Sequence, residues 1–118
     1  MQVYKSNKKD YLEYVGLIVN QVGTAPPNVI EQKKEFNAVI TYTRNSSGVY
    51  RILSSQPIFK AGKTHLQISL GLTPDGFLIV TGYRYDSETQ LTILSNNGVS
   101  FVDDLFNNQS LNIKVYKN

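Results

Sequence analysis

The chain has 118 residues, 41% of them hydrophobic and 18% charged, with a net charge of +3 and no cysteine. That length suits one domain, and at this size about two-thirds of the unfolded surface can be buried, so a core can form without cross-links. The missing cysteine excludes disulfides, thiolate metal sites and cysteine nucleophiles, and the apolar content excludes a disordered chain.

The positive charge is dispersed. Lysines fall in small groups (Lys5, Lys8 and Lys9; Lys33 and Lys34; Lys114 and Lys117), and the three arginines, Arg44, Arg51 and Arg84, are far apart. A nucleic-acid binder concentrates such residues on one face, so these read as a solvated surface and no nucleic-acid partner is expected. Met1–Asp10 lacks the basic-then-apolar layout of a signal peptide, and Val15–Val19 is too short to cross a bilayer; neither a leader nor a membrane partner is expected.

β-Branched and aromatic residues recur between short clusters of Gly, Pro, Asn, Asp and Ser, which is the texture of strands and turns. In chain order, Met1–Asp10 is either a first strand or an extended N-terminal arm. Tyr11–Val22 is a long strand with a kink or bulge at Gly16. Gly23–Asn28 is a loop, and Val29–Glu35 is either a strand or a helical turn. Phe36–Arg44 is a strand with Phe36, Ala38, Ile40 and Tyr42 on one face; Asn45–Gly48 turns it and Val49–Ser54 returns. Gln56–Lys63 is a connection.

His65–Leu72 follows, with Leu66, Ile68 and Leu70 alternating against polar residues, and Thr73-Pro74-Asp75-Gly76 forms a tight hairpin turn. Phe77–Tyr85 returns with apolar residues on both faces, which predicts a central strand covered on two sides. A turn at Asp86-Ser87-Glu88, a strand at Thr89–Ser95, a hairpin turn at Asn96-Asn97-Gly98 and a short strand at Val99–Phe101 come next. Val102–Phe106 is a helical turn or corner and Asn107–Ser110 a loop. Leu111, Ile113 and Val115 then mark a last strand. The expected fold is all-β, a single-domain antiparallel β-sandwich or barrel of about eight to nine strands.

No catalytic set is visible. His65 is the only histidine and stands on the polar face of its strand, without the further imidazoles a cysteine-free zinc site would need. Asp103 and Asp104 are sequence neighbours and point apart, and Asp75 and Asp86 are explained by turns. No serine sits in a nucleophile elbow, and Gly71, Gly76 and Gly82 match no phosphate-cradling loop. The chain reads as a non-enzyme that needs no cofactor. Of its eight tyrosines, those in Tyr83-Arg84-Tyr85 form the best candidate contact patch, because Tyr and Arg are enriched in interface hot spots.

Tyr14-Val15-Gly16-Leu17-Ile18, then Gly23-Thr24-Ala25-Pro26, Ile40-Thr41-Tyr42-Thr43-Arg44 and Gly48-Val49-Tyr50 form a series over residues 11–64. It resembles small β-rich proteins encoded by tailed bacteriophages and prophages of Bacteroidetes hosts. The resemblance implies a virion structural protein, such as a head decoration, head-fibre or tail-associated β domain. It would be made in the host cytoplasm, bind other virion proteins and work as a homo-oligomer. No functional residue is carried over from it. The alternative is a bacterial carbohydrate- or ligand-binding β module, with an aromatic platform among Tyr50, Tyr83, Tyr85 and Tyr116. An enzyme or nucleic-acid binder built on His65 or the lysines is the weakest reading.

Overall fold

A computed structural model describes residues 10–73 and 75–117. The question of a strand or an arm at Met1–Asp10 therefore lies almost wholly outside the described residues. Within them are eight strands: β1 (Tyr11–Asn20), β2 (Asn28–Lys34), β3 (Ile40–Ser46), β4 (Val49–Ser54), β5 (Thr64–Ile68), β6 (Val80–Ser87), β7 (Gln90–Asn96) and β8 (Asn107–Tyr116). They form two four-stranded antiparallel sheets, ordered β2-β1-β8-β5 and β3-β4-β7-β6. The fold is a β-sandwich, which resolves the open choice between sandwich and barrel.

Period-two patterning explains the layers. Tyr14, Gly16 and Ile18 of β1 point inward, as do Gln109, Leu111, Ile113 and Val115 of β8; Tyr50 and Ile52 of β4 and Leu91 and Ile93 of β7 meet them from the other sheet. Phe59 and Phe106, both in connections, are buried with this cluster. Each large apolar side chain buried in full contributes about 1.5–3 kcal/mol, and the four central strands supply most of them. Tyr14 and Tyr42 join the layers through a 2.7 Å hydrogen bond between their hydroxyls; burial pushes the Tyr14 phenol up to about 12 and that of Tyr42 higher still.

The pairing of β1 with β2 is irregular next to Gly16, as the glycine predicts: Val15 faces Lys33 while Gly16 faces Glu31. A Cβ on Gly16 would lie 2.7 Å from Val29 Cγ1, and a β-branched side chain gives way poorly. Gly16→Ala is expected to lower stability by about 1–2 kcal/mol in a denaturant titration. An unchanged midpoint would mean that β2 is free to move away.

Several expectations are corrected. β3 begins at Ile40, because residues 36–39 carry the chain from one sheet to the other, with Phe36 and Ala38 buried in that crossing. The Val29–Glu35 ambiguity resolves as strand β2. β5 stops at Ile68, short of Leu72. β6 is an edge strand and not a central one; β7 lies between it and β4. Asp86 and Ser87 belong to β6, and the turn falls at residues 88–89. Val99–Phe101 is no strand: only a single bridge joins Phe101 to Asn96. Residues 102–106 form a corner without helix, with Asp104 at φ 67°. Asn107–Ser110 is not a loop but the start of β8; Gln109 is buried there, and its amide donates to Ser69 O at 3.2 Å and its Oε1 accepts from Asn107 N at 3.0 Å. A polar side chain whose hydrogen bonds are satisfied can occupy a strand interior that composition reads as loop.

Candidate interaction surface

One end of the sandwich combines a rigid polar anchor with an uncovered apolar hairpin. The anchor is Asp103, in the corner between β7 and β8. Its carboxylate accepts from Arg44 Nη2 at 2.7 Å, Arg44 Nε at 3.1 Å, the Gly48 amide at 3.0 Å and the Tyr50 hydroxyl at 2.7 Å. The Arg44 guanidinium, with the Gly48 and Tyr50 donors and against partial burial, holds this carboxyl down at about 2. Burial and the adjacent Asp103 charge push the Tyr50 phenol up.

Gln21 extends the network. It is buried, its Oε1 accepts from the Asp104 amide at 2.7 Å, and its Nε2 donates to Gly23 O and Ala25 O. Asp104 turns the other way and accepts from the Gly23 amide at 2.7 Å. The two neighbouring aspartates do point apart, and each fastens a different loop. Val102 is held to β7 by two bonds with Ser95. Residues 97–101 therefore stand on a fixed base, with their turn closed by Asn97 Oδ1 accepting from the Val99 and Ser100 amides.

The hairpin spans residues 69–80. Leu72 pairs with Leu78, the Thr73 amide donates to Phe77 O at 2.7 Å, and the Ile79 amide donates to Gly71 O at 2.9 Å. Gly76, at φ 88°, supplies the left-handed residue the turn needs. Among the described residues of this segment only Ile79 is buried. Leu70 is 76% exposed, Leu72 65%, Phe77 67%, and Leu78 and Val80 51% each. Val80 faces Asn96, which in turn bridges Phe101, so the register brings the hairpin base beside the 97–101 turn, where Val99 is 90% and Phe101 49% exposed. Asp75 is the only charged residue in 69–80, and there is none in 96–102.

The residues singled out from sequence lie elsewhere. Strand alternation places Tyr83 and Tyr85 on the inner face of β6 and Arg84 on the outer. Tyr83 donates to Thr64 O at 3.1 Å across the gap between the sheets, and Tyr85 packs against the core. Arg84 pairs with Asp86 at 2.6 Å. Asp86 is thus explained by β6–β7 side chains and not by a turn. Burial raises its carboxyl, but bonds from Thr92, Gln90 and Arg84 outweigh that and hold it below the usual range.

Tyr50 is fully buried and cannot serve in a sugar platform. Tyr116 stands on the outer face of its sheet between Tyr11 and His65, with rings 5.3 and 5.2 Å away and tilted by 50° and 73°. Exposed His65 is thus packed edge-on against a tyrosine. Among the described residues no three His, Asp or Glu side chains are grouped to hold a metal ion. No family model, curated protein or solved structure matches the chain.

Proposed function

We propose that this protein is a non-enzymatic structural component of a tailed-phage virion and that it works by protein–protein contact. The observation that carries the contact reading is the apolar hairpin 69–80 with its neighbour 97–101: large side chains that, buried Ile79 apart, are about half exposed or more, on segments with one charge between them. The largest apolar patch on a typical monomer is roughly 300–600 Å², and patches beyond that mark interaction sites. A two-stranded hairpin has little stability of its own in water, so one presenting leucines on one side and phenylalanine on the other suits burial against a partner. The virion assignment draws on the resemblance over residues 11–64.

The test is quantitative mass spectrometry of purified particles of a phage that encodes the chain. The protein is expected at a fixed copy number per particle, resistant to washing. Its absence from particles, with the protein present in the infected lysate, would remove the virion assignment. A Leu78→Asp chain is expected to enter particles at least tenfold less well than wild type, given the roughly 2 kcal/mol or more that a central interface residue carries. Equal incorporation would dissociate the hairpin from that role.

A further inference from the structure

We infer that the hairpin is covered by the same hairpin of a second copy, the two bare edges pairing antiparallel about a two-fold axis. This rests on the reading of the hairpin as a protein-contact surface and names its occupant.

Three observations lead there. The first is backbone geometry. Gly71 faces Ile79 and Thr73 faces Phe77 through the hairpin's own hydrogen bonds, so Leu72 and Leu78 form the intervening pair whose N–H and C=O point away from the hairpin. Ser69 still donates to Ser110 of β8, and beyond it no described strand flanks Leu70–Leu72. That edge is an open row of donors and acceptors, which proteins ordinarily cover, twist away or charge. This one is uncharged, and its side chains are leucines.

The second is symmetry. Two identical edges paired antiparallel are related by a two-fold axis, which closes the assembly at two copies and places each contact residue opposite its own kind or a near neighbour. Leu70, Leu72, Leu78 and Val80 lie on one face of the hairpin, because Leu72 opposes Leu78 and the next even pair is Leu70 with Val80. Edge pairing sets Leu70 and Leu72 beside the same leucines of the second copy on one continuous face, with Leu78 and Val80 one strand behind them. Along Leu70–Leu72 a partner of opposite charge has nothing to recognise and a second copy meets no like charge, the hairpin's one charge, Asp75, standing at the turn, although the chain as a whole is at +3.

The third is size. The four aliphatic side chains of that face are each more than half exposed, a patch smaller than the roughly 800 Å² each partner buries in a standard interface, which sets the association in the weak, concentration-dependent class.

The experiment is sedimentation equilibrium of the full chain from about 1 to 200 μM, a range bracketing micromolar association, on wild type, Leu72→Asp, Leu70→Asp and the control Thr43→Asp on β3 of the other sheet edge. Each variant is checked by its unfolding transition; Leu70 and Leu72 are largely exposed, so both aspartates are compatible with the fold. The expected result is a monomer–dimer equilibrium in wild type and Thr43→Asp, weakened at least ~30-fold in both hairpin variants, in line with loss of a central contact.

A wild type that stays monomeric throughout overturns the inference, as does a dimer indifferent to both hairpin variants or one disrupted equally by Thr43→Asp. A monomeric wild type whose Leu78→Asp form is still excluded from particles would retire the second copy and keep the contact surface, with another virion protein as its occupant. Loss of that dependence as well would retire both.

Discussion

Gly48→Ala is expected to lower the stability of this protein by about 3–5 kcal/mol, combining left-handed backbone strain with overpacking. Gly48 has φ 68°, where an L side chain costs about 1–2 kcal/mol. A Cβ there would also stand 2.5 Å from Ser95 O, 2.6 Å from Val102 N and 2.9 Å from Phe101 C. All three are backbone atoms, so no rotamer change relieves the clash. The same glycine donates to Asp103 and accepts from the Ser95 amide, which ties the β3–β4 turn to the corner after β7. Moving any of these disturbs the rest. Gly62→Ala is the control: its φ is 73°, but its Cβ would meet open space, so it isolates the dihedral cost. Both are measured by urea unfolding. If Gly48→Ala loses no more than Gly62→Ala, the close approach of the three backbone atoms is wrong.

Asp103→Asn should cost about 2–3 kcal/mol near neutral pH, because the amide keeps the shape and loses the charge that Arg44, the Gly48 amide and Tyr50 address. The effect depends on pH with a definite sign. A carboxyl held at about 2 in the folded chain, and at its ordinary value near 3.8 when unfolded, adds stability that is complete above about pH 5. That stability drains away as pH falls through 4 toward 2, since the unfolded chain takes up the proton first. The part assigned to this group is about 2 kcal/mol.

Glu13 and Asp86 are also held low, Glu13 by Asn112 and Lys33, and they add to the acid slope of the wild type. The informative quantity is therefore the difference between wild type and variant from pH 6 to pH 2. That gap should close on acidification; a constant gap would mean that Asp103 acts by packing and not by charge.

The architecture was readable where side chains alternate cleanly. Leu111, Ile113 and Val115 announce β8, Tyr50 and Ile52 announce β4, and the glycines at 48 and 76 mark turns that do need left-handed residues. Where alternation is ambiguous, local pattern leaves the placement open for a physical reason. Apolar residues on both faces of 77–80 have two possible causes, burial between two layers or exposure to a partner, and local pattern does not separate them. Phe36 and Ala38 continue the alternation of β3 without being strand, because burial in a crossing needs apolar residues at any spacing. Asn107–Ser110 looked like loop because hydrogen-bonding capacity, not composition, lets Gln109 sit inside.

The Tyr83-Arg84-Tyr85 patch joined residues that are adjacent in sequence and opposed in space, which the period of two already implies. The apolar end itself could have been suspected from Leu70 to Val80 carrying only one charge, Asp75.

The pairing of β1 with β8 also bears on how the chain folds. These are the first and last described strands, they form the middle of their sheet, and Glu13 and Asn112, joined by a hydrogen bond, are 99 positions apart. Contacts this distant in sequence are entropically slow to close, so refolding belongs on the millisecond-to-second scale of high-contact-order sandwiches. During synthesis β1 waits for β2 to β7 to be made before its inner neighbour, β8, exists. Until then the β1–β2, β3–β4 and β6–β7 pairs are the parts that local contacts can assemble, while the inward side chains Tyr14 and Ile18 remain open to solvent and to wrong partners. Yield from a cell should therefore depend more on temperature and expression rate than the finished sandwich would suggest.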